Sequence, residues 1–250
     1  MSDLKLGKLA ATRPRMGDLA TYANGPLPTP QSSVDVPYVP DWQMFANGPD
    51  PSCTVPGAPF GDCVIAGAAH VIIASNVEVQ RLDAVPTSNE VADQYLAITG
   101  RQDTGCNESD VLSTWRSRGL FGDNRISAYC PVEPTQISHV HAAVAFYGAC
   151  LLGVQLPASA QEQFANGKPW TVVPGSPIEG GHCIVVVGYS PEYLYVVTWG
   201  AVVPVSYPWF GAFVDEAWCL ITQEVAEAGS GPDGILNLAA LQADLDAIAD

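Results

Sequence analysis

From Cys63 to Gln80 the chain reads CVIAGAAHVIIASNVEVQ, apolar on almost every side and built largely of small residues. A helix with this pattern has no face to offer water, so it must run through the centre of a fold. Asp62 stands where an N-cap would, its side chain placed to accept from the first free backbone N–H groups. Whatever surrounds such a helix must be large enough to enclose it. The 250 residues, 48% of them hydrophobic, allow one sizeable core or at most two small domains.

The segments around this helix follow from their periodicity and punctuation. Ser88 caps a second helix ended by Gly100, and Ser109 with Asp110 opens a third, VLSTWRSRG. A strand at 126–130 precedes a helix over 135–147, a strand over 150–156 and a short helix near 158–164. GHCIVVVGY (181–189), YLYVVTW (193–199) and AVVPVSY (201–207) then read as antiparallel strands joined by turns. A short helix (PWFGAFVDE) and a strand (AWCLIT) follow. Helices first and an antiparallel sheet afterwards is an α+β arrangement. Residues 1–45, with prolines at 14, 27, 30, 37 and 40, read as an extended arm that wraps over the domain or engages a partner. The main domain then spans 46–228. A hinge and an amphipathic helix bearing Ile235, Leu238, Leu241, Leu245 and Ile248 occupy 229–250.

Charge narrows the function. With 26 acidic and 10 basic residues the formal net charge is −16, which argues against nucleic acid or an anionic membrane as partner, since phosphate contacts need clustered Lys and Arg. No secretory signal is evident, and the charge-free stretch 134–161 is broken by His139, His141, Gly148 and Pro157, so no transmembrane segment is expected. A cytoplasmic or virion-associated protein is the expectation. The seven cysteines contain no C-x-x-C pair, and the H-x-H at 139–141 lacks a third ligand at sensible spacing, so neither a metal nor another cofactor is expected. Cys53 and Cys106 are the two loop cysteines that a disulfide would join.

The strongest chemical constellation is Cys63 with His182. A nucleophilic thiol must become a thiolate, favoured by the N–H groups of a helix start and by a neighbouring imidazolium. Cys63 lies in the first turn of the central helix, and His182 follows Gly180-Gly181 at the head of an apolar strand. His70 sits two turns further along the helix, roughly 10 Å on, too far to be the base, and reads as a core or supporting histidine. Cys183 should face away from His182, into the core. The rings at Tyr193, Tyr195, Trp199, Tyr207 and Trp209 either line a groove or fill the core.

The order G-D-C at the start of a central helix, then G-H-C-I-V-V-V-G-Y, then a strand ending in T-W-G, resembles the papain-like cysteine peptidases across roughly residues 55–222. The whole chain is also similar to a group of actinobacterial and phage proteins with the same landmarks. The resemblance implies a papain-like fold in which the Cys-bearing helix packs on the His-bearing sheet, with Cys63 as nucleophile, His182 as base and Trp199 as a shielding indole. Two positions depart from the pattern. Val197 stands where the family has the Asn that orients the His, leaving Thr198 as substitute if a bulge or shift turns it inward. Gly57 stands where the family has its oxyanion Gln, leaving Asn47 as candidate donor. Asp215 and Glu216 are further candidate partners for the His.

These implications favour a cysteine hydrolase acting on peptide or isopeptide bonds, on a peptide or protein substrate. The alternative is a weakly active or inactive papain-like scaffold used for binding or structure, as in a virion or cell-surface component, assembling as a homo-oligomer or on a virion through the arm and the C-terminal helix. Cell-wall peptides are a third substrate class. Substrate preference and oligomeric state are not written in the sequence.

Overall fold

In the computed structural model the described residues are 5–12, 16–37, 60–78, 85–228 and 234–249. The central run forms helix α1 (Cys63–Glu78), followed by α2 (Ser88–Ile98), α3 (Glu108–Ser117), β1 (Ile126–Pro131), α4 (Ile137–Tyr147), β2 (Cys150–Pro157) and α5 (Ala158–Ala165). Then come β3 (Ile178–Tyr189), β4 (Tyr193–Thr198), β5 (Ala201–Ser206), α6 (Tyr207–Phe213), β6 (Val214–Thr222), α7 (Gln223–Ala228) and α8 (Leu238–Ala249). The strands make one six-stranded antiparallel sheet in the order β1-β6-β2-β3-β4-β5. This is the α+β class read from the sequence.

Helix α1 packs against β2 and β3 and is enclosed by α2, α3 and α7. Its residues Val64, Ile65, Ala68, Ala69, Val71, Ile72 and Ile73 are all buried, as an all-round apolar pattern requires. Contact with the sheet is close at Gly67, where a Cβ would lie 2.9 Å from Cys183 Sγ and 3.0 Å from Leu151 Cδ1. Asp62 Oδ1 has no hydrogen-bond partner among the described residues. The N–H groups of Ile65 and Ala66 are bonded instead to the Asp62 carbonyl oxygen, at 2.9 and 3.0 Å.

Among the element boundaries that differ from the sequence reading, three have a clear local cause. Thr87, not Ser88, caps α2, because Glu90 then falls three residues on and closes a capping box, with Thr87 N donating to Glu90 Oε2 at 2.7 Å and Glu90 N to Thr87 Oγ1 at 3.2 Å. Asn107 caps α3 through Ser109 N at 3.0 Å, so Glu108 becomes the helix's first residue and is completely buried. Helix α6 stops at Phe213, and pairing with β2 draws Val214, Asp215 and Glu216 into β6. The last two shifts bring carboxylates to the site.

The described part of the arm lies on the body. Val34 and Tyr189 exchange two backbone hydrogen bonds of 2.9 Å, Leu19 N donates to the Pro131 carbonyl at 2.8 Å, and Tyr22 Oη donates to Asp244 of α8 at 2.7 Å. Helix α8 packs on β1 through Leu241 and Leu245, whereas Ile248 stays exposed. None of the helices, among the described residues, is long and apolar enough to cross a membrane.

Replacing Gly67 by Val forces two methyl groups between α1 and β3, where even a Cβ is too close. The expected result is a loss of about 1–3 kcal/mol of unfolding free energy, measured by chemical denaturation. An unchanged midpoint would show that the helix–sheet contact is looser than described.

Candidate active site

Cys63 opens α1, and His182 stands in β3 just before the stretch that pairs with β4. Both are buried, and with Gly67, His70, Thr198 and Trp199 they line one cavity of about 10 Å³, room for about one water. His182 is held from two sides. Its Nε2 lies 2.7 Å from Thr198 Oγ1, and the Trp199 indole stacks on its ring at 4.7 Å between centroids and 19° between planes. Nδ1 has no hydrogen-bond partner among the described residues. Thr198, the substitute that the sequence offered for the Asn, is thus hydrogen-bonded to the imidazole. The β3–β4 ladder slips between Val186 and Gly188, Val197 faces Val185 within the sheet, and Thr198 ends β4 beside the imidazole.

The turn after Thr198 fixes this arrangement. Trp199 has φ +47° and Gly200 φ +74°, the left-handed pair of a two-residue hairpin turn. For Trp this backbone costs roughly 1 kcal/mol or more. Burial of the indole against His182, Phe164 and Trp170 compensates it. Trp209 lies in the core against Trp170, and His141 stacks on Tyr189 at 3.9 Å with Nε2 3.1 Å from Tyr207 Oη.

The charge state of the pair differs from the sequence expectation of a ready thiolate. Burial pushes the Cys63 thiol up to about 12. The N–H groups of Cys183 and Gly7, directed at the sulfur, pull the other way, while Asp62 and Glu108 add to the rise. Burial lowers His182 to about 3 and raises Asp62 to about 7. A neutral thiol thus faces a neutral imidazole at neutral pH.

A segment that sequence reasoning did not connect with the site lies against it, the Gly7 N–H directed at the Cys63 sulfur. Residues 6–9 run through the cleft. Lys8 N donates to the Gly181 carbonyl at 3.2 Å, Cys106 N to the Gly7 carbonyl at 2.8 Å and Leu9 N to the Cys106 carbonyl at 2.9 Å. Gly7 is pressed so closely on Gly61 that a Cβ would fall 1.6 Å from the Gly61 carbonyl oxygen. Asp215 and Glu216, candidates for orienting His182, are partners of Lys8 instead. Cys183 faces α1, its sulfur against Gly67, with Glu108 of α3 nearby. Asn47, Cys53 and Gly57 lie outside the described residues. The six described cysteines, Cys106 included, are buried free thiols, and among the described residues no cluster of His, Cys, Asp and Glu is arranged to hold a metal ion.

No family profile matches the sequence, and no curated protein does. Solved structures do match. Xylellain, a cysteine protease from Xylella fastidiosa, superposes with a TM-score of 0.63 at 16% identity, over 88% of this chain and 97% of that one. The cysteine protease and lectin-like domains of Cwp84, a surface layer associated protein of Clostridium difficile, give a TM-score of 0.48 at 10% identity, over 82% of this chain and 56% of that one. Digestive procathepsin L 3 of the Tenebrio molitor larval midgut gives 0.38 at 14%, over 87% and 76%. With Cys63 on the central helix and His182 on the antiparallel sheet, the fold of this chain is that of the papain-like cysteine peptidases.

Proposed function

We propose that this chain is a thiol hydrolase of peptide or isopeptide bonds, with Cys63 as nucleophile and His182 as its base. The observation that carries the reading is the shared cavity of Cys63 with an imidazole whose Nε2 is tied to Thr198 and whose face is covered by Trp199. With Nε2 held, Nδ1 is the nitrogen left to take the thiol proton. The thiolate attacks the carbonyl carbon and forms a C–S bond. His182 returns the proton to the nitrogen as the C–N bond breaks, and water then hydrolyses the thioester to acid and free thiol. The backbone N–H of Cys63 serves as one oxyanion donor. Such donors contribute about 10²–10³ each in rate. Thr198 is a positioning residue, since it touches the imidazole and not the substrate.

A second reading, a scaffold that binds without cleaving, is favoured by the neutral thiol and imidazole beneath residues 6–9. The two part on hydrolysis. The test offers a synthetic peptide library to the full chain and to its Lys8→Glu variant, in which like charge expels residue 8 from the cleft, and reads new termini by mass spectrometry. New termini that disappear on Cys63→Ala support the hydrolase. Their absence with either chain sinks it.

Alkylation of Cys63 gives an independent check. A thiol raised to about 12 carries little thiolate at pH 7.5, so iodoacetamide should label it at least about a hundred-fold more slowly than a free cysteine, whose pKa is about 8.5. The rate should keep climbing beyond pH 10. A plateau near pH 8 would contradict the closed site. In the open variant, Thr198→Val should lower kcat/KM roughly tenfold or more through a misoriented imidazole, while Thr198→Ser restores it. Equal losses in both variants would mean that the hydroxyl has no part in positioning His182.

A further inference from the structure

A base that takes the thiol proton at Nδ1 must carry its own proton on Nε2, and Thr198 by itself does not enforce that tautomer of His182. A hydroxyl can donate or accept. If Thr198 Oγ1 donated across the 2.7 Å to Nε2, the imidazole proton would sit on Nδ1 and block transfer from the thiol. If Thr198 accepts, Nε2 is the N–H and Nδ1 keeps its lone pair. An amide oxygen in this place could only accept, whereas a hydroxyl leaves the polarity open.

Two features of the site close it. The first is burial. His182 and Thr198 are both buried, and Nδ1 has no hydrogen-bond partner among the described residues. A proton on Nδ1 would be an orphaned buried donor, which folded proteins avoid, whereas a proton on Nε2 has Thr198 to receive it. The hydroxyl hydrogen then needs an acceptor of its own. The second feature is His70. It is buried, and it lines the same cavity of about 10 Å³ as Thr198 and His182. A space with room for about one water brings the His70 ring within a single bridging water of the Thr198 hydroxyl. Cys63, Gly67 and His70 follow one face of α1 at spacings of four and three, and Gly67 has no side chain to fill the space. Other groups in this wall are poorer acceptors. The carbonyls of Ala66 and Gly67 belong to the ladder of α1, the Trp199 indole only donates, and the sulfurs of Cys63 and Cys183 accept weakly. A neutral imidazole offers a full lone pair.

We infer that His70 is a positioning residue that sets the tautomer of His182. Directly or across one water it accepts the Thr198 hydroxyl hydrogen, which turns the Thr198 oxygen toward Nε2–H and leaves Nδ1 for the thiol proton. The chain of bonds runs from His182 Nε2–H to Thr198 Oγ1, and from the Thr198 O–H to His70. No covalent bond in it breaks, and its polarity persists when Nδ1 gains a proton, because the imidazolium still donates from Nε2. His70 thus serves the site from roughly 10 Å along the helix without touching substrate. The inference rests on the reading of His182 as the base, and its test reads the imidazole itself rather than a product.

The test determines ring tautomers by nitrogen NMR of the full chain at neutral pH, with isotope-labelled histidine. The chain has only four histidines, so replacing them one at a time assigns each ring. In the unsubstituted chain the His182 Nε2 signal should fall among protonated ring nitrogens and the Nδ1 signal among bare ones. His70→Phe keeps a ring in the core but removes the acceptor, and should shift both signals toward the opposite assignment. His70→Gln, whose carbonyl accepts, should hold them where they were. If His70→Phe folds poorly by circular dichroism, His70→Leu takes its place beside His70→Gln. A purely structural role for His70 would disturb both variants alike and would not be rescued by Gln. A proton on Nδ1 in the unsubstituted chain, or an unchanged Nε2–H tautomer without His70, overturns the inference. A tautomer that depends on His70 in a chain that cuts no peptide leaves the inference standing and removes the hydrolase reading. Cleavage that needs Cys63, with a tautomer indifferent to His70, does the reverse.

Discussion

Helix α1 has no polar face, so the remainder of the molecule is arranged around keeping it from water. The sheet takes one side, α2, α3 and α7 take others, and Gly67 lets the helix backbone rest directly on the side chains of Cys183 and Leu151. That close approach is also what makes chemistry conceivable. The first residue of α1 and an imidazole on β3 come to line the same small cavity because the bare helix backbone at Gly67 rests directly on strand side chains. A helix standing one side-chain layer further off would leave sulfur and imidazole on separate surfaces.

Electrostatics in the closed cleft runs against reactivity. Burial alone favours the uncharged thiol and the uncharged imidazole, and Asp62 and Glu108 push the thiol the same way. The N–H groups at the sulfur oppose this without prevailing. The same residue types would act differently in a wetter cleft, where the desolvation penalty falls. Access to the site and its ionisation are therefore linked through the burial they share. The buried Lys8 gives residues 6–9 their hold, since its departure leaves carboxylates facing one another.

The order of elements was legible in the sequence wherever a local rule sufficed. All-round apolarity marked α1, β-rich runs between turns marked β3, β4 and β5, and the G-H and T-W-G landmarks pointed at His182, Thr198 and Trp199. Boundaries were missed where two local signals competed. Ser88 is as good a cap as Thr87 in isolation, but only Thr87 has a Glu three residues on. Asp215 and Glu216 followed a helical segment and were read with it, until the ladder with β2 claimed them. The displaced start of α3 hid Glu108 in the same way.

The sequence by itself determined that a fully apolar helix must be central, that an antiparallel sheet follows it, and that Cys63 and His182 are the residues worth bringing together, because these depend on periodicity and side-chain chemistry within short windows. Only the tertiary structure decided that Thr198 meets the imidazole, since this follows from the register of β3 against β4. Likewise it decided that the Lys8 ammonium is paired with Asp215 and Glu216, with Glu108 buried nearby. Those four come from a strand-like segment, a helix start and a strand, separated by up to 208 positions (8 to 216), and no local pattern encodes a charge balance between segments so far apart in the chain.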